Sequence, residues 1–217
     1  MPEERQTIDV PGKGGVSAIL TPAAEPRWLF VYAHGAGSNI DDPFAVFASR
    51  LLPERGIEVM RFQFPYRERG RGGPDPNLVL EATWRAVLAR ARERPAKVVA
   101  GGRSMGGRIA SQVAAAGEPL DALALFAYPL HPPSRPDQRR DSHLGQITLP
   151  ALFCSGTRDG FATPDELRAA AALLPQAAVH LLEGADHGFA VPKSTGRKKE
   201  DVWREACDAL LTFLRES

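Results

Sequence analysis

Six apolar runs, each four to six residues long, alternate along this 217-residue chain with longer stretches of helical pattern. The runs are Trp28–Tyr32, Ile57–Phe62, Lys97–Ala100, Ala122–Phe126, Ala151–Cys154 and Val179–Leu182. Helical patterns cover about 43–55, 77–93, 105–116 and 199–214. Thr163-Pro164-Asp165-Glu166 reads as one more helix start, with Thr163 as N-cap and Pro164 at the first position. Strand, helix, strand, repeated in this way, calls for parallel strands joined by right-handed crossovers. Strands that are apolar throughout fit a sheet covered on both faces. The expected fold is therefore α/β: a mostly parallel central sheet with helices on both faces, with a polar hairpin over about residues 5–20 at one edge. The length suits a single domain spanning residues 1–217.

In such sheets, reactive residues gather in the loops beyond the carboxyl ends of the strands. Here each run is followed by a loop with chemical content. His34-Gly35-Ala36-Gly37 follows the first, Phe64-Pro65-Tyr66-Arg67 the second, and Gly102-Arg103-Ser104-Met105-Gly106 the third. Tyr128-Pro129-Leu130-His131 follows the fourth, Arg158-Asp159-Gly160 the fifth, and Asp186-His187-Gly188 the sixth.

Gly102-Arg103-Ser104-Met105-Gly106 has the form G-x-S-x-G, a short pattern that means little without its context. Here it follows a strand and opens a helix whose first residues include Gly106, Gly107 and Ala110. That context makes it a tight strand-to-helix turn that presents a serine hydroxyl at a helix start. A phosphate loop explains the stretch less well. Gly107-Arg108 stands where a phosphate loop needs Lys-Ser/Thr, and no segment completes G-x-G-x-x-G.

A serine needs a base, and the base needs an orienting carboxylate. In this fold the chain order is Ser, then acid, then His. Of the five histidines, His34 precedes the serine, His131 and His143 precede the expected acid, and His180 lies within a strand. His187 alone follows the last strand in a glycine-flanked turn. Asp159 follows the fifth strand, whereas Asp165 belongs to a helix start and Asp186 is adjacent to the histidine. The catalytic candidates are therefore Ser104, Asp159 and His187. The backbone N–H groups of Ala36 and Met105 are the candidate oxyanion donors. His34, Gly35, Tyr66, Arg67, Arg103 and His131 are candidates for substrate contact, and the bland alternative for His34 is a side chain that holds its own loop. This chemistry requires no cofactor and no metal.

The chain resembles an α/β-hydrolase in the order of these motifs: His34-Gly35, Ser104 in its elbow, Asp159, His187. The resemblance runs from Trp28 to the C-terminal helix. Phe62-Gln63-Phe64-Pro65-Tyr66 and Tyr128-Pro129-Leu130-His131-Pro132-Pro133 are similar to a small subgroup of bacterial hydrolases. The animal relatives of that subgroup include a histone-acetyltransferase-complex subunit and testis-expressed hydrolase-like proteins. A looser similarity is to dienelactone hydrolases, which carry cysteine where this chain has Ser104. The resemblance implies hydrolysis of an ester, thioester or related acyl bond of a small substrate. Members found in large assemblies leave a second reading, a non-catalytic interaction module. The segment Leu130 to Leu149 is short and rich in Pro and Arg, so no extensive lid is expected.

Composition narrows the setting. Net charge is +1, with no recognition motif for nucleic acid, so neither a nucleic acid nor a membrane surface is an expected partner. The first residues are polar and acidic, and no apolar run reaches the roughly 18–20 residues that a bilayer needs. Cys154 and Cys207 are far apart and read as packed thiols, which fits a cytoplasmic location. The cations are 22 Arg against 5 Lys. Arg67, Arg69 and Arg71 in one loop and Arg135, Arg139 and Arg140 in another are expected to rim the mouth above Ser104, where guanidinium groups would favour an anionic substrate.

Overall fold

The computed structural model describes residues 2–70 and 72–217. One eight-stranded sheet runs through it. Its strands are β1 (Glu4–Val10), β2 (Gly14–Thr21), β3 (Trp28–Ala33), β4 (Ile57–Phe62), β5 (Lys97–Arg103), β6 (Ala122–Phe126), β7 (Ala151–Gly156) and β8 (Ala177–Leu182). The spatial order is β1-β2-β4-β3-β5-β6-β7-β8. Strands β3 to β8 are parallel, while β2 pairs antiparallel with both β1 and β4. The expected hairpin is present, but it is not polar throughout. β2 lies inside the sheet between β1 and β4, and its Val16 and Ala18 to Thr21 are buried, with Val16, Ala18 and Leu20 packed into the core on one face.

Each fully buried strand divides its side chains between two cores, as the period of two requires. In β3, Leu29, Val31 and Ala33 face one core and Trp28, Phe30 and Tyr32 the other. The first core is closed by α3 (Asn77–Ala91), α4 (Met105–Ala115) and α5 (Pro164–Ala171), through Trp84, Ile109 and Leu167. The second is closed by α1 (Pro43–Leu51) and α6 (Lys199–Glu216), where Phe44 meets Trp203. Pro53 ends α1 sooner than the pattern suggests, and a single 3₁₀ turn, Pro53–Arg55, replaces its last residues. A four-residue helix α2 (Pro65–Glu68) occupies what reads as loop. Thr163 caps α5 as expected, in a reciprocal pair with Glu166.

The segment between β6 and β7 carries only one 3₁₀ turn, Leu144–Gln146, so no helical lid covers the strand ends. Cys154 and Cys207 are both free and buried. Among the described residues, no helix is long and apolar enough to cross a membrane.

From β3 the chain passes to β4 on one side, and β5 then pairs on the other. The loops leaving β3 and β5 therefore diverge, which opens a crevice at their carboxyl ends.

Candidate active site

Ser104 occupies that crevice, between β5 and α4, with φ 54° and ψ −120°. A non-glycine residue pays on the order of 1–3 kcal/mol for such a backbone, so the surrounding structure must impose it. Glycines supply the room. A Cβ at Gly102 would lie 2.0 Å from the Ala33 carbonyl oxygen, and one at Gly106 2.2 Å from the same atom. Ser104 N–H donates to Phe126 O at 2.8 Å, and Arg108 N–H donates to Ser104 O at 3.0 Å, so the turn is tied to β6 and to its own helix.

His187 bridges the other two candidates. Its Nε2 is 3.0 Å from Ser104 Oγ, and its Nδ1 is 3.0 and 2.9 Å from the two Asp159 carboxylate oxygens. Asp159 is buried and accepts further bonds from Phe161 N–H at 2.8 Å and Ser155 Oγ at 3.3 Å. The two rejected acids have other work. Asp186 accepts from the N–H groups of Gly188 and Ala190, which shapes the histidine turn, and Asp165 pairs with Arg168. Phe189, at φ 61°, anchors that turn in the second core against Phe44 and Phe126.

A cleft of about 650 Å³ surrounds Ser104 and His187. Gly35, Ala36, Met105 and Arg103 line it, and among the described residues neither Ala36 N–H nor Met105 N–H donates to a protein acceptor. The Gly35–Ala36 peptide is fixed from behind: its carbonyl accepts from His34 Nδ1–H at 2.8 Å and from Ser38 N–H at 3.0 Å. In a trans peptide the N–H points opposite to the C=O, so holding Gly35 O inward turns Ala36 N–H outward.

Four residues expected to touch substrate lie elsewhere. His34 is buried, donates to Gly35 O and accepts from Phe64 N–H through Nε2 at 3.4 Å, and burial lowers its pKa to about 4. Tyr66 Oη and Arg67 Nη2 both donate to Ala36 O, at 2.9 and 3.2 Å. These three side chains buttress the Ala36 loop rather than face the cleft. His131 is buried against Pro132 O and Glu166, outside the cleft.

The arginine rim is also smaller than expected. Arg69 pairs with Asp75, and Arg139 with Asp141 and Glu166. Arg135 is exposed outside the cleft, and Arg71 lies outside the described residues. Of the five that are described, only Arg140 lines the cleft, joined there by Arg103 and Arg108 from the elbow and its helix. Arg103 is neutralised by Asp42, at 2.9 Å.

Two residues escape motif reading. The Phe161 ring stacks on the His187 imidazole, with centroids 4.1 Å apart. Asp42 is fully buried and accepts from Tyr32 Oη, Ser38 Oγ and the N–H groups of Phe44 and Ala45 while it pairs with Arg103. One carboxylate thus joins the Ala36 loop, the start of α1 and the residue before Ser104. An acid followed by proline at a helix start was the only trace of it in the sequence. Among the described residues, no group of three His, Cys, Asp or Glu side chains is arranged to hold a metal ion.

The chain matches the sequence profile of the alpha/beta hydrolase domain over residues 26–215. The chain belongs to the α/β-hydrolase family. Solved α/β-hydrolases share its fold. A serine hydrolase homologue from Coxiella burnetii is 20% identical and superposes with a TM-score of 0.78, covering 97% of this chain and 98% of its own. Dienelactone hydrolase from Anabaena variabilis, 20% identical, gives 0.76 with 97% of each chain covered. A lid-less serine hydrolase from Xanthomonas campestris, 21% identical, gives 0.73 with 97% and 95% covered. Two curated proteins from two strains of Mycobacterium tuberculosis, provisionally named phosphoribosyl transferases, are each 27% identical over 213 residues. The match covers 94% of this chain and 45% of theirs, so the chain spans less than half the length of the curated relatives it matches.

Proposed function

We propose that this α/β-hydrolase is a serine hydrolase that cleaves a carboxylic ester, thioester or related acyl bond of a small substrate. The observation that carries the reading is His187, within hydrogen-bond reach of both Ser104 and Asp159. Ser104 Oγ attacks the carbonyl carbon while its proton passes to His187 Nε2. Asp159, accepting from Nδ1–H, holds the ring and stabilises its charge. The carbonyl oxygen, now negative, accepts from the N–H groups of Ala36 and Met105. Collapse of this intermediate breaks the bond to the leaving group, which takes the proton from His187. The same nitrogen then draws a proton from water, whose oxygen attacks the acyl-enzyme and releases the acid. No step calls for a cofactor.

The roughly 650 Å³ cleft and the short β6–β7 segment favour a small substrate that needs no lid to enclose it. Action in the cytoplasm belongs to the same proposal and is supported by the two buried free thiols. The transferase name belongs to chains of more than twice the matched length. The glycines at 101, 102 and 106 are accounted for by packing against backbone carbonyls rather than by phosphate contacts.

Hydrolysis of p-nitrophenyl acetate tests the reading. Ser104→Ala should lower kcat by several orders of magnitude with the unfolding transition intact. Undiminished turnover in that variant contradicts it. Absence of turnover in the unaltered protein on any p-nitrophenyl or thioester substrate favours the interaction-module reading.

A further inference from the structure

Arg108 and Arg140 both line the cleft, and neither forms an ion pair among the described residues. Their neighbours there are spoken for: Arg103 by Asp42 and Asp75 by Arg69. Among the described residues, the one side-chain partner of Arg108 is Asn77 Oδ1, at a long 3.4 Å. Two like charges held near each other in a half-buried place cost energy unless something negative joins them. That cost appears in Arg108, whose pKa is lowered by burial first and by Arg140 next.

The pair is also built rather than incidental. One buried network fixes the backbone of both residues. Ser111 Oγ donates to Arg108 O at 2.7 Å, and Tyr128 Oη donates to Arg140 O at 3.1 Å. With both hydroxyl protons committed, His143 Nε2 must donate, and it lies 2.8 Å from Ser111 Oγ and 3.4 Å from Tyr128 Oη. The network thereby ties α4, which carries Arg108, to the loop that carries Arg140. Arg108 stands one helical turn beyond Ser104, about 5.4 Å along the axis.

We propose that Arg108 and Arg140 form an anion subsite for a carboxylate or phosphate group of the substrate, only a few bonds from the scissile carbonyl. Guanidinium groups suit this task because their planar donors match an oxyanion in pairs. The inference rests on the hydrolase reading for its substrate, but not for its anion. It moves the expected anionic preference away from the loop arginines 67, 69, 135 and 139, which have carboxylate, carbonyl or solvent partners, onto a pair centred on the elbow helix.

The test compares two matched esters, 4-nitrophenyl hemiglutarate and 4-nitrophenyl butyrate, at low salt. The readout is the ratio of their kcat/KM values in the unaltered protein, in the double variant Arg108→Gln, Arg140→Gln, and in Arg135→Gln, which removes one charge from the same loop outside the cleft. The hemiglutarate-to-butyrate ratio should fall at least tenfold in the double variant and hold in Arg135→Gln. An unchanged ratio in the double variant, or an equal fall in Arg135→Gln, overturns the subsite. If neither ester is turned over, the hydrolase reading fails on its own and calorimetric titration of glutarate still reads the subsite. Affinity at least tenfold weaker in the double variant supports it, and equal or absent binding in both proteins overturns it.

Discussion

The Phe161 ring lies nearly flat on the His187 imidazole, with centroids 4.1 Å apart and planes 28° from parallel. The same residue's N–H donates to Asp159. One residue therefore holds the Asp159 carboxylate with its backbone and the His187 ring with its side chain. Such stacking is worth about 0.5–1.5 kcal/mol beyond area burial. Phe161→Ala should lower kcat/KM by roughly 2- to 12-fold on that basis, since 1.4 kcal/mol is about tenfold, and Phe161→Tyr should restore most of it. Steady-state kinetics on p-nitrophenyl acetate checks this, and equal rates in all three proteins would remove the ring from the account.

Asp42 is itself buried, and the network it anchors reaches the cleft only through Ser38 and Arg103. Removing its carboxylate leaves the Arg103 guanidinium without its partner and strips the cap from α1. Breaking a buried pair from one side costs about 3–5 kcal/mol. Asp42→Ala is expected to lose stability on that scale in urea unfolding. Loss below about 1 kcal/mol would mean that the pair behaves as a surface contact.

Close approach at the elbow sets a different limit. Gly106→Ala would drive a Cβ to 2.2 Å from Ala33 O, an atom of rigid backbone. Overpacking of this kind costs about 1–3 kcal/mol or more. The variant should unfold at a lower temperature, and it should lose activity beyond that loss because Ser104 and the Ala36 loop are pushed apart. A variant with native melting temperature and native activity would contradict the packing argument.

His34 makes stability depend on pH in a stated direction. Burial lowers its pKa from 6.5 to about 4, so the unfolded chain binds a proton there before the folded chain does. Between those values the unfolded state holds more protons, and stability rises with pH. Lowering pH from 7.5 to 5 should cost about 2 kcal/mol through this residue. His143, also lowered chiefly by burial, acts in the same sense. Glu166 and Glu205 are held below the ordinary carboxylate value, so their contributions are lost only at more acid pH and leave this window to the histidines. Urea unfolding at the two pH values should show a smaller difference in His34→Gln. The same difference in both proteins would show that His34 is not the titrating group.

Much of the fold is legible because it rests on local pattern. The six apolar runs become β3 to β8, and the helical patterns follow, although α1 stops four residues short of its pattern and α2 stands where a loop was expected. The relation of Ser104, Asp159 and His187 is legible because position after a strand places each residue at the same sheet edge. What sequence misjudges depends on partners distant in the chain. Arg67 and Tyr66 look like mouth residues until their bonds to the Ala36 carbonyl are seen. Arg69 and Arg139 are likewise absorbed by acids that only the fold identifies. Arg108, hidden inside a helix pattern, faces the cleft because it lies one turn from Ser104.

Ser104, activated by His187, is the proposed nucleophile. Intact-protein mass spectrometry after treatment with a fluorophosphonate measures this directly, followed by mapping of the modified peptide. One adduct is expected, on Ser104, absent in Ser104→Ala and slowed by orders of magnitude in His187→Ala. A folded, unaltered protein that takes up no label, or takes it up on another residue, would contradict it.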